Sequence, residues 1–212
     1  MDAENHFSTL LLCVVIVVVF FGVQGIMGLD LAWTVGNIEP NFFFSMIAHG
    51  SMAHLLGNLF ALGLFGLLLE GTIGTKRYLW ILLAAGVIGN IAGVFGGYHR
   101  VLGISGAIYG IFGALAVLRP KMVVWAAGMP MPMIVAAAGW TFMDIVGAFA
   151  GGTGTGHLAH LGGLVAGIVA GFYLRKQFPD KPRVRGRKKM SRDEKRAADR
   201  EIDAWEERYM VA

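Results

Sequence analysis

The chain of 212 residues has a single cysteine, Cys13, and it lies inside an apolar run. That excludes a disulfide framework and a cysteine-built metal site. No His-Glu-x-x-His motif occurs, so the zinc-hydrolase pairing of two histidines around a general base is missing too. Charge is scarce: Asp, Glu, Lys and Arg make up 15% of the residues, against 56% that are hydrophobic. Residues 1–171 contain five basic side chains (Lys76, Arg77, Arg100, Arg119 and Lys121) and six acidic ones, while residues 172–212 hold the other thirteen Lys and Arg with eight acids. The pI of about 9.4 therefore comes from the tail. A basic segment confined to one end argues for a place beside anionic lipid headgroups and against nucleic-acid binding. Met1 to Thr9 has no Lys or Arg, and no small-residue cleavage site follows. The first apolar run is thus expected to be an uncleaved span.

Long apolar runs are what the sequence has instead, with a mean hydropathy of +0.62, as in a polytopic membrane protein. Residues 10–29 would make a helix about 30 Å long, the thickness of a bilayer core. Further spans are expected at 51–70, 78–97, 105–118, 122–149 and 157–174. Pro130 and Pro132 interrupt the fifth and move its helix start to near Met131. Lys76 and Arg77 join spans two and three, Arg119 and Lys121 join spans four and five, and the basic tail follows span six; the other loops hold only Arg100. The positive-inside rule then puts both termini in the cytoplasm. The expected fold is an all-α membrane protein of six transmembrane helices in the cell membrane. Its parts are a short cytoplasmic N-terminus (1–9), a six-span domain (10–174) and a basic cytoplasmic tail (175–212).

In this topology spans two, four and six all run inward from the outer face. Their first turns carry His49, His54 and Asn58; Ser105; and His157 and His160. Ionisable and polar groups inside apolar helices are costly and mark function by default. Ser105 sits in Gly103-Ile104-Ser105-Gly106, and a serine with a histidine at the same depth supplies a nucleophile and a general base. Span four has fourteen residues, about 21 Å of helix. Ser105 is therefore expected roughly 10 Å below the outer surface, at the head of a water-filled cavity. The glycine frame also reads as plain helix packing: Gly106, Gly110 and Gly113 face a matching series, Ala159, Gly163, Ala166 and Gly167. The two readings agree, because close packing of spans four and six would bring Ser105 beside His160. Asn58 follows His54 by four residues and shares its helix face. Hydrogen bonding to backbone and metal ligation are both open to His49, but donors aimed at a developing oxyanion are a better use of His54 and Asn58.

The order His49-x4-His54-x3-Asn58, Gly103-x-Ser105-Gly106 with Tyr109, and Ala159-His160-x-x-Gly163-x3-Gly167 resembles the rhomboid family of intramembrane serine proteases. Glu70 with Gly74 and Arg77 is similar to the family's pattern as well, and the likeness covers about residues 10–174. It implies a six-span rhomboid-like bundle in which Ser105 is the nucleophile and His160 the base, a dyad without the usual acid. Tyr109 would pack on the His160 ring, and His54 and Asn58 with the Ser105 backbone N–H would form the oxyanion hole. His49 would shape the outer end of the site. No cofactor and no metal is implied; the partners would be transmembrane protein substrates and the lipid bilayer, with no nucleic acid. The external loop has Trp33 but lacks the Trp-Arg pair of many members.

Three environments stay open for Asp144: facing the cavity, pairing with a backbone group, or standing neutral. His157, after the glycine-rich stretch 152–156, is expected nearer the water, at the entrance. In the tail, Ser191-x-x-Glu194 reads as a capping box opening a short helix with Ala198, Ile202, Trp205 and Tyr209 on one stripe. The function implied is a serine endopeptidase that cuts transmembrane proteins near the outer end of their helix. Its rival from the residues alone is a transporter or channel whose buried histidines relay protons or bind a cation.

Overall fold

The computed structural model describes residues 7–35, 40–150, 154–180, 193, 196 and 200. The chain forms two compact units, Met1–Asp180 and Lys181–Ala212. In the second, Asp193, Arg196 and Arg200 are helical; the expected capping box at Ser191 and Glu194 and the stripe from Ala198 to Tyr209 lie outside the described residues.

The first unit is mostly helical. Its main helices are α1 (Phe7–Ile26), α2 (Met52–Ile73), α3 (Thr75–Val94), α4 (Ser105–Leu118), α5 (Met133–Ala150) and α6 (His157–Leu174). All but α4 are long and apolar enough to cross a membrane, five in number among the described residues, while α4 is a shorter apolar helix of fourteen residues. Between α2 and α3 the chain turns at Gly74, whose φ of 81° lies in the left-handed region that favours glycine.

The short helix is the centre. Eleven of the fourteen α4 residues are buried, as expected of a helix apolar on every side. α1, by contrast, buries Thr9, Ile16 and Val19 and turns Phe7, Leu11, Val14 and Val18 outward. α4 and α6 run parallel in close register. Gly163 lies against Gly106, Gly167 against Gly110, and Gly171 against Ala114 and Val117. A Cβ on Gly163 or Gly167 would overlap the carbonyl oxygen opposite it. Small residues therefore let the two backbones touch, which is how helices associate where lipid removes the hydrophobic drive. α3 closes the other side, with Gly89 against the Ala159 backbone.

The fifth apolar stretch opens its helix close to the expected start near Met131, but the segment before it forms a hairpin that was not expected. Residues 122–132 do not open a helix; Val123–Ala126 (β3) pairs antiparallel with Met129–Pro132 (β4) in a hairpin, and α5 begins at Met133. Ala127 and Gly128, at φ 50° and 78°, make the two-residue turn, the geometry that matches strand twist. Pro130 and Pro132 face Trp125 and Val123, while Ala126↔Met129 and Val124↔Met131 alternate with them. The Met133 N–H donates to the Met122 carbonyl at 2.8 Å, continuing that alternation. The prolines thus fall at the non-hydrogen-bonded pairs, where a missing N–H costs nothing.

The loop between α1 and α2 holds Trp33–Thr34 (β1), paired antiparallel with Arg100–Val101 (β2), and a short helix Asn41–Phe44. Trp33 is buried edge-on against Phe42, and Asp30 pairs with Arg100 at the surface. The Gly103 N–H donates to the Ser45 carbonyl at 2.8 Å, and Asn90 Nδ2 donates to the Phe42 carbonyl at 2.8 Å. The first bond ties the loop to the segment that precedes Ser105, and the second ties it to α3.

Candidate active site

Ser105 is the first residue of α4 and His160 lies in the first turn of α6. Because α4 and α6 are parallel and staggered by Gly106/Gly163, both side chains meet at one end of the pair. Ser105 Oγ is 2.8 Å from His160 Nε2. Tyr109, one turn below Ser105, stacks on the His160 imidazole with ring centroids 4.3 Å apart and planes 8° from parallel. Phe112 and Trp140 continue the aromatic floor.

The other nitrogen of His160 decides how the ring can act. His160 Nδ1 lies 2.9 Å from Asp144 Oδ1 on α5. A carboxylate accepts, so Nδ1 carries the proton and donates; Nε2 is then the acceptor for the Ser105 hydroxyl. The resemblance implied a dyad without an acid, and here a buried Asp144 stands in the acid's place. His157 Nδ1 donates to the same oxygen at 2.7 Å. Asp144 neither lines the cavity nor pairs with a backbone group, two of the environments left open for it; it lies behind His160 with histidine partners.

His157 departs from its expected place at the entrance. Its side chain is only 11% exposed, and its ring lies over Gly147, one turn along α5 from Asp144, where any Cβ would collide with it. The absent side chain lets His157 reach the carboxylate.

On the opposite wall α2 begins at its cap, where Ser51 Oγ accepts from the His54 N–H at 3.2 Å. His54 and Asn58, one turn apart, both line the cavity with Ser105, Tyr109 and His160; its volume is about 900 Å³. Gly103 has φ 110°, and a Cβ there would sit 2.7 Å from His54 Cε1. Glycine is needed twice over, for the backbone angle and for the imidazole against it. Gly106 serves the α4–α6 contact instead, as do Gly163 and Gly167.

His49 does not line the cavity. It is buried behind Asn58, whose Nδ2 donates to His49 Nε2 at 2.9 Å. Burial, then the nearby His54, push the His49 imidazole down to about 4, so near neutral pH it is uncharged and free to accept. Asn58 Nδ2 has two hydrogens, and one committed to His49 leaves the other for the cavity. Gln24 on α1 holds His49 in turn, with Oε1 accepting from the His49 N–H at 2.9 Å and Nε2 donating to its carbonyl at 3.2 Å. Sequence reasoning missed Gln24, although it is an amide in an otherwise apolar span. It also left Asp144 without a partner, although a buried acid must find a donor and histidines were the candidates in the facing first turn.

Asp144, His157 and His160 are of metal-ligating types, and one donor atom of each lies within 4.8 Å of the others. Both imidazole N–H groups already point at Asp144 Oδ1, so hydrogen bonding accounts for the cluster.

Residues 39–177 match the rhomboid domain. This chain belongs to the rhomboid family. It is 30% identical over 138 residues to the human presenilin-associated rhomboid-like protein, mitochondrial, covering 58% of this chain and 35% of that protein; the mouse counterpart gives the same figures. It is 33% identical over 128 residues to the rhomboid protease GluP of Bacillus subtilis, covering 59% of this chain and 24% of the relative. The chain thus spans about a third of the length of the mitochondrial relatives it matches and about a quarter of GluP. Family and apolar helices together make this rhomboid a multi-pass membrane protein.

Proposed function

We propose that this rhomboid is an intramembrane serine endopeptidase. The observation that carries the reading is the 2.8 Å contact between Ser105 Oγ and His160 Nε2, at the head of a short central helix and open to the cavity that His54 and Asn58 line. Ser105 attacks the scissile carbonyl carbon as its proton passes to His160 Nε2. The tetrahedral oxyanion is held by Asn58 Nδ2, His54 and the Ser105 backbone N–H. Collapse breaks the C–N bond, and His160 returns the proton to the leaving amine. Water, deprotonated by His160, then attacks the acyl ester, and Ser105 regains its proton. Tyr109 fixes the imidazole plane, and His49 fixes the Asn58 amide.

The substrates of this reading are transmembrane proteins. A peptide bond inside a helix cannot offer its carbonyl to Ser105, and opening that helix in lipid leaves backbone groups unpaired. Residues that weaken the helix, Gly or Pro, favour cleavage. α4 is the fourth of six spans, its shortness placing Ser105 below the outer surface; both termini face the cytoplasm, residues 10–174 form the protease domain, and the location is the cell membrane. Kinship with GluP weighs against the transporter reading.

The test is a fluorophosphonate probe on the purified protein in detergent, with cleavage of a single-span substrate alongside. Labelling and cleavage that both require Ser105 and His160 are expected. A protein that neither labels nor cleaves, or an alanine variant at Ser105 that still does, overturns the reading.

A further inference from the structure

We propose that Asp144 is a positioning residue for His160, steadied by His157, so that the reaction runs on a serine–histidine–aspartate triad. The inference rests on the protease reading above. Its basis is one oxygen with two donors: Asp144 Oδ1 accepts from His160 Nδ1 at 2.9 Å and from His157 Nδ1 at 2.7 Å. The carboxylate is buried, with 4% of its side chain exposed. Its other oxygen has no hydrogen-bond partner of good geometry, and the Tyr109 hydroxyl is the neighbouring donor. A buried carboxylate with unused acceptor capacity is costly, and here it sits one imidazole away from the nucleophile.

Two effects follow from that geometry. Before reaction, Asp144 fixes the tautomer, because only the ring with its proton on Nδ1 can accept from Ser105 at Nε2. During reaction, the proton taken from Ser105 makes His160 an imidazolium, and its bond to Asp144 becomes charge-assisted and stronger. No proton needs to reach Asp144. His157 keeps the shared oxygen in place between α5 and α6, a contact that Gly147 makes room for. The ionisable groups around His160 come from every side: His54 on α2, Tyr109 on α4, Asp144 on α5 and His157 on α6. Asp144 is the only acid among them.

The experiment measures kcat and KM separately for wild type, Asp144→Asn and His157→Ala, with thermal stability of each in detergent. Asp144→Asn is nearly isosteric but removes the charge and frees the tautomer. It is expected to lower kcat by up to about 10⁴-fold, the loss when a triad aspartate becomes asparagine, with KM and melting temperature close to wild type. His157→Ala, which leaves the His160–Asp144 bond in place, is expected to lower kcat by less than about tenfold. In ¹⁵N-histidine protein, the His160 Nδ1–H should give a far-downfield proton resonance that Asp144→Asn moves or removes. A wild-type kcat in Asp144→Asn overturns the proposal, as does a loss matched by destabilisation, or a wild-type His160 with no proton on Nδ1. Failure of the protease reading looks different, since then wild type itself neither cleaves nor labels.

Discussion

Two buried carboxylates, Glu70 on α2 and Asp144 on α5, carry opposite lessons. Glu70 is fully buried and well supplied with donors. Its Oε2 accepts from the Thr9 N–H at 3.1 Å and the Thr9 hydroxyl at 2.7 Å, and its Oε1 accepts from the Thr75 hydroxyl at 2.8 Å. The three bonds staple α1 and the start of α3 to the end of α2, and Gly66 lets Thr9 come close enough to take part. Asp144 has two histidines crowded on one oxygen and none on the other. A carboxylate with both oxygens satisfied by neutral donors holds helices together. One whose donors are titratable rings, beside Ser105 and a cavity, can hold an imidazole in one tautomer, the role proposed for Asp144.

The comparison can be broken most sharply at Ser105 and Glu70. Ser105→Ala is expected to abolish cleavage of a single-span substrate while shifting the melting temperature little, since one hydroxyl is lost from a helix start. Glu70→Ala should do the reverse. It strands three donors at about 1–3 kcal/mol each, so a loss of roughly 3–5 kcal/mol and about 10 °C in melting temperature is expected, with the folded fraction still able to react with a serine probe. Equal activity loss at both positions, at a temperature where both variants are folded, would erase the distinction.

A smaller effect is expected across the cavity. His54→Ala and Asn58→Ala should each lower kcat, toward the 10²–10³ typical of a lost oxyanion donor, softened because donors are shared. Unchanged rates in both would remove them from the oxyanion site.

The smallest effect is the pH response of His49. Its imidazole is held down to about 4 when folded but titrates near 6.5 in the unfolded chain. The unfolded state takes up the proton first, so this contribution to stability is present above about 6.5 and lost as pH falls toward 4. Melting temperature should therefore drop between pH 7 and pH 5 by more in wild type than in His49→Gln. Parallel curves would show that His49 is not the group responsible.

Much of this was legible in the residues. The start and end of α4 and α6 agree with the expected spans 105–118 and 157–174, because glycine-rich flanks and charged ends bound the apolar runs. The juxtaposition of Ser105 and His160 was readable from two small-residue series with matching four-residue spacing. The hairpin at 123–132 was not, since an apolar stretch with two prolines reads as an interrupted span until its alternation is paired. Ala127-Gly128 between alternating residues was the signal available. His157 was misplaced for a similar reason: sequence shows the loop before it but not the gap over Gly147.

By itself the sequence determined the apolar helices, the charge asymmetry and the residue types at each helix head, all of which follow from local hydropathy and spacing. Tertiary structure alone decided the partners. Whether Asp144 meets a backbone group or two histidines, and whether Asn58 is held by His49, depends on how far neighbouring helices approach and rotate. Those distances are set by the small residues between them, through contacts that no single segment contains.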